Sequence, residues 1–147
     1  MKKTLTLAVF ATVAILSVVS LSAAQEQTPA ERAYADIEAT LGVVPSHIKA
    51  YPETAVAGAW EMTKGLLFDE ANSLEPKVKS LINLAVAAQI PCEYCIWLET
   101  KFARAQGATD AEVAEAVAQA AYVRHWSTVI NGMQIDFETF KAEFGGE

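Results

Sequence analysis

A chain of 147 residues, 52% of them hydrophobic and 20% charged, is long enough for one domain with its own core. Eighteen acidic against 11 basic residues give a net charge of −7, a surface that repels polyanions and argues against nucleic acid as a partner. Two cysteines and two histidines are too few for a disulfide scaffold, and they leave a structural zinc site, which needs about four ligands, short of candidates.

The first element is a targeting segment. Lys2 and Lys3 precede an apolar run from about Leu5 to Val19, and small residues follow. Ser22 and Ala24 sit at the −3 and −1 positions of a cleavage before Gln25. Residues 1–24 are therefore expected to be a removed secretory signal, and residues 25–147 the domain. A retained membrane anchor is the competing reading. The run is short for a span of about 20 residues, and Ser17, Ser20 and Ser22 dilute its end. Loss of Lys2 and Lys3 leaves nine basic residues against 18 acidic ones, a net charge of about −9. The signal has a bacterial look, which places the protein in the periplasm or outside the cell, free of the membrane after cleavage. Disulfides persist there.

The rest reads as helix almost throughout. Thr28, Pro29 and Glu31 form a helix start, and ERAYADIEATL runs from there to a stop at Gly42. Val43 to Tyr51 is a connector around Pro45 with room for one helical turn. Pro52 opens a second helix through ETAVAGAWEMTKGLLF, and DEANS is a loop. A third helix begins near Ser73 and Pro76 and runs through KVKSLINLAVAAQ. Its apolar stripe of Val78, Leu81, Ile82, Ala85, Val86 and Ala88 is wide, which predicts a helix central to the core. Pro91 ends it. A fourth helix opens at or near Cys92 and runs to Gly107. Thr109 and Glu112 make a second capping box, from which an Ala-rich helix runs to Asn131-Gly132. A last amphipathic helix covers about Asp136 to Phe144. With no alternating strand pattern and no repeat, the fold class is all-α, a domain of about six helices.

Both cysteines lie in PCEYCIWLET, two residues apart. A C-x-x-C can be a redox dithiol, half a metal site or a staple. No second C-x-x-C exists, and the histidines are His47 and His125. A bridge between Cys92 and Cys95 closes a tiny loop and gains little loop entropy, so a stapling role is the weaker reading. A thioredoxin fold would need strands around the motif. Cys92 follows Pro91 and opens a helix, where free backbone N–H groups and the positive end of the dipole favour a thiolate. Cys95 lies one turn on. That placement favours a reversible, reactive disulfide over a buried, inert pair.

The stretch LINLAVAAQIPCEYCIWLETKFARAQGATDAEVAEAV resembles the core of the alkylhydroperoxidase D-like proteins, within the carboxymuconolactone decarboxylase superfamily. The likeness runs from about Val44 to Gly132. Its most specific parts are the apolar helix ending in C-x-x-C, the following A-x-x-x-G-A-T-x-x-E, and the helix ending RHWSTVING. The resemblance implies an all-helical fold, obligate oligomers (often trimers or multiples of them) and thiol-dependent reduction of peroxides, with no metal, haem or flavin. The decarboxylase branch generally lacks the dithiol, so Cys92 and Cys95 point to the peroxidase-like branch.

The sequence departs from that pattern at two positions. The family places a Glu twelve residues before the first Cys, where Ser80 stands, and a His four residues after the second, where Glu99 stands. Both members of the family's proton relay are replaced. Glu99 is one turn past Cys95 on the same helix face, and burial would suit it to accept a thiol proton. A solvated helix Glu is the plain alternative. His125, on the next helix, is the other candidate base, in a pair with Glu99 that would supply the lost His; a packed, hydrogen-bonded histidine beside Trp126 is its plain alternative. Arg124 is expected to pair with an acid such as Glu99 or Glu93, or to lie at a subunit contact. Trp60, Trp97 and Trp126 are expected in the core or at interfaces, or around an apolar pocket. Tyr94 and His47 carry weaker signals. The helix terminus favours Cys92 as the more acidic thiol, whereas the resemblance implies that Cys95 attacks and Cys92 resolves.

With the dithiol, the resemblance implies a peroxidase-like enzyme that reduces hydrogen peroxide or organic hydroperoxides through Cys92, Cys95, Glu99 and His125. An external dithiol would reduce it again. Two rivals stand beside that reading: a thiol–disulfide exchange protein, and a non-catalytic helical protein that binds a small ligand while its cysteines stay oxidised.

Overall fold

The structure is a computed structural model that describes residues 26–146. The expected signal segment and its cleavage before Gln25 lie outside the described residues. Helix α1 (Pro29–Leu41) starts with the expected capping box: Glu31 N–H donates to Thr28 Oγ1 at 3.2 Å, and Thr28 N–H donates to the Glu31 carboxylate at 2.7 Å. It ends at Gly42, whose φ of 75° suits a residue without a Cβ. The connector contains the single turn α2 (Ser46–Lys49). Then come α3 (Glu53–Leu67), α4 (Pro76–Gln89), α5 (Glu93–Ala105), α6 (Asp110–Gly132) and α7 (Phe137–Glu143). Thr109 and Glu112 cap α6 as expected. No strand occurs among the described residues, and the architecture is all-α. None of these helices is long and apolar enough to cross a membrane.

Two groups of helices make up the fold. In the first, α1 packs on α3. Ile37 and Val56 are fully buried and Trp60 nearly so, with Ala30 and Ala33 letting the axes approach. Each such side chain contributes about 1.5–3 kcal/mol by leaving water. A polar tie reinforces the seam. Trp60 Nε1 donates to Asp36 at 2.8 Å, and Lys64 Nζ reaches the same oxygen at 2.7 Å. The Lys64 hydrogen bond, and then that of Trp60, hold the Asp36 carboxyl below the usual carboxylate range.

The second group packs α4 against α5 and α6. Its buried face consists of Ser80, Leu84 and Ala87 on α4, Ala103 on α5 and Ala120 on α6. Small residues dominate, so the helices sit close. Here the structure corrects the expectation for α4. Its stripe is split: Leu81, Ala85 and Ala88 are half-buried, but Val78, Ile82 and Val86 are exposed. The helix is flanked by α5 and α6 on one side and has a bare apolar row on another. Between the groups, an open cleft of about 400 Å³ separates the end of α3 from α4, lined by residues including Met62, Leu66, Leu74, Ile82 and Asn83.

Candidate dithiol site

The dithiol sits where α4 hands over to α5, in the second group of helices. The α4 backbone ends with Ile90 N–H on Val86 O, and Cys92 N–H returns to Ala87 O at 3.1 Å. Cys92 is then the N-cap of α5. Its Sγ accepts from Cys95 N–H at 3.2 Å, so sulfur takes the place that a Ser or Asp oxygen fills at other helix starts. Cys92 and Cys95 are joined by a disulfide, with Cα atoms 5.3 Å apart. Both residues are half-buried, so the bridge is within reach of solvent. Tyr94, between them, is 87% exposed. On the outer surface of α5, Pro91, Ile96, Trp97, Thr100 and Lys101 line a shallow groove of about 620 Å³ beside the dithiol turn. The Lys101 ammonium lies 5.3 Å from the Trp97 ring centroid.

Glu99 lies one turn beyond Cys95, on the half-buried side of α5. Burial raises its pKa, because a carboxylate loses hydration there; a hydrogen bond from the Asn83 side chain on α4 acts in the opposite sense. Ser80 is one turn before Asn83 on α4 and is only 7% exposed. Its hydroxyl stands where the resemblance implies a carboxylate, and a hydroxyl is no base near neutral pH. On α5 itself, the carboxyl one turn beyond the dithiol is that of Glu99, with Asn83 beside it on α4.

His125 sits elsewhere. It is exposed on α6, its ring edge-on to Trp126 at a centroid distance of 5.2 Å. Among the described residues no hydrogen bond or ion pair joins it to Glu99, so the protomer does not assemble that expected pair. Nor does Arg124 pair with an acid. Its Nε donates to Gln89 Oε1 at 2.7 Å, and its Nη2 lies 3.3 Å from Gln89 O. Trp60 is a core residue as expected, whereas Trp97 and Trp126 are exposed in the protomer. His47 is exposed on α2. Among the described residues no three His, Cys, Asp or Glu side chains gather into a metal-binding group.

Two residues escape the reading of the sequence, Asn83 and Gln89. Each is a lone polar side chain in the apolar run LINLAVAAQ. A buried amide in such a helix needs a partner, and that was the signal available.

An all-helical domain with a solvent-accessible C-x-x-C capping one helix defines an α-helical dithiol protein. Known proteins make this more specific. Residues 54–136 match the Carboxymuconolactone decarboxylase family. The chain is also similar to the crystal structure of the alkylhydroperoxidase AhpD core from Rhodospirillum rubrum. The two are 30% identical with a TM-score of 0.66, over 76% of this chain and 85% of that one. No curated protein matches it significantly. The chain belongs to the carboxymuconolactone decarboxylase family, as an alkylhydroperoxidase D-like member.

Proposed function

We propose that the protein is a thiol-dependent, peroxidase-like oxidoreductase that reduces hydrogen peroxide or an organic hydroperoxide through Cys92 and Cys95. The observation that carries this reading is the accessible sulfur pair at the start of α5 with the half-buried Glu99 one turn on. In the reduced protein Cys95 gives its proton to Glu99. The thiolate attacks the terminal peroxide oxygen, the O–O bond breaks, and the leaving alkoxide or hydroxide takes the proton back from Glu99. Cys95 is then a sulfenic acid. The Cys92 thiol displaces its oxygen as water and the disulfide forms. An external dithiol supplies two electrons and two protons to restore both thiols.

Exported from the cytoplasm, the mature chain from Gln25 works in this reading in the periplasm or outside the cell, as an oligomer that covers the bare row on α4. A second reading, thiol–disulfide exchange without peroxide, draws on Ser80 in the position of the family's carboxylate. Stopped-flow mixing of the reduced chain from Gln25 with cumene hydroperoxide and with hydrogen peroxide separates the two. Fast, saturable thiol loss that vanishes in Cys95→Ser is the expected result. Oxidation no faster than that of free cysteine, with rapid reaction toward glutathione disulfide, would replace the first reading by the second.

A further inference from the structure

We infer that Arg124 and Gln89 form a clamp between α6 and the end of α4 that positions the dithiol turn and sets its redox equilibrium. This rests on the reading of Cys92 and Cys95 as a reversible dithiol. Gln89 is the last residue of α4, three residues before Cys92. All of its polar groups that point toward α6 are used. Its side-chain N–H donates to Ala120 O, its side-chain oxygen accepts from Arg124 Nε at 2.7 Å, and its main-chain carbonyl faces Arg124 Nη2 at 3.3 Å. The guanidinium fork thus grips one residue at two oxygens, a geometry that a Lys cannot reproduce. It also puts a cation on the negative end of α4, where the last carbonyls lack helical partners.

The chain leaves this anchor through Ile90 and Pro91 and reaches Cys92 at once. Cys95, by contrast, is held in the first turn of α5 by the packing of α5 on α4. On the Cys92 side the clamp adds to the Cys92 N–H bond to Ala87 O by fixing the end of α4 from which the dithiol turn departs. With the clamp intact, the reduced thiols already lie near their bonded positions, and closing the disulfide loses little further freedom. Without it, Cys92 moves more freely in the reduced form, and the intramolecular bridge forms less favourably against oxidised glutathione. The exchange balances: the dithiol gives two electrons and two protons, and one glutathione disulfide becomes two glutathione thiols.

The test is the equilibrium of the full mature chain with mixtures of reduced and oxidised glutathione, for wild type, Arg124→Ala, Gln89→Ala and the double variant. Each single change is expected to lower the equilibrium constant for bridge formation about tenfold, a rise in potential of about 30 mV. The double variant is expected to show no larger shift than either, because both act on one clamp. A general loss of stability, equal in both redox forms, would leave the potential where it was. Arg124→Lys serves as the mild variant should the alanine forms unfold; it keeps the cation, loses the fork and is expected to shift the constant by about threefold. Unchanged potentials in all variants overturn the clamp. A wild-type disulfide that never exchanges with glutathione overturns instead the redox reading beneath it.

Discussion

Glu99 is the residue on which the proposed proton chemistry turns, and its environment makes two outcomes measurable. Burial raises its pKa above the ordinary 4.5, and the Asn83 hydrogen bond offsets this only in part. The fold thus favours the protonated carboxyl. Its contribution to stability is complete below about pH 4.5 and is lost as the pH rises through the higher folded value. Glu99→Gln is neutral at every pH and keeps an oxygen for Asn83. It is expected to melt higher than wild type at neutral pH, with the difference closing in acid; a wild type that melts higher at neutral pH would mean that the ionised carboxylate is the favoured form. The same change is expected to slow oxidation by cumene hydroperoxide by about tenfold or more, since a positioned base is worth at least that. It should also remove the rate increase that accompanies Glu99 ionisation, leaving only the thiol's own titration. Rates that coincide from acid to alkaline pH would relieve Glu99 of the role.

Helix starts show how far local sequence reaches. The box on α6 involves residues three apart, Thr109 and Glu112, and it was legible because every atom it needs is within one turn. What the sequence could not reveal is that Lys77, 35 residues earlier on α4, reaches Glu112 at 2.7 Å and makes the cap a tie between helices. The Lys77 hydrogen bond, and then those from Thr109, lower the Glu112 pKa to about 2. A depressed folded pKa gives stability that is present above about pH 4.5 and lost as the pH falls through about 2. Urea unfolding across this range is expected to show wild type more stable than Glu112→Gln at neutral pH and the two curves meeting near pH 2; parallel curves would show that the tie does not persist in solution. Thr109→Ala is expected to lose about 1 kcal/mol at neutral pH, the usual worth of a Thr cap. The dithiol follows the same rule. Cys92 as an N-cap could be read from Pro91-Cys92 and the helix after it. The partners of Glu99, Arg124 and Gln89 depend on how α4, α5 and α6 are rotated about their axes. Sequence spacing does not fix that rotation, so the reading of Arg124 offers an acid or a subunit contact where an amide is found.

At the scale of the whole molecule, apolar surface is left uncovered in a row. Val78, Ile82 and Val86 follow one another at four-residue spacing along α4 and Ile90 caps its end, with exposures of 37%, 47%, 54% and 62%. That spacing runs the three α4 residues along a gently winding row that leads to Ile90. Met62 and Leu66, on α3 across the cleft, are each more than 60% exposed. Soluble monomers rarely present such a continuous patch to water. The wide stripe read from the sequence is buried only in part by one protomer, since hydrophobic periodicity does not say which surface, if any, covers each residue. A second copy of this chain is the cover that the proposed oligomer provides. Val86→Glu places a charge in the middle of the row without touching the Leu84–Ala87 face that meets α5 and α6. Sedimentation is expected to find wild type as an oligomer and the variant as a smaller species at the same concentration, with the helical circular dichroism retained and the glutathione equilibrium of Cys92 and Cys95 unchanged. A wild type that sediments as a monomer would leave the row without its partner. A variant that stays assembled would move the subunit contact to another surface, with the exposed side chains of α6 around Tyr122, Val123 and Trp126 next in line.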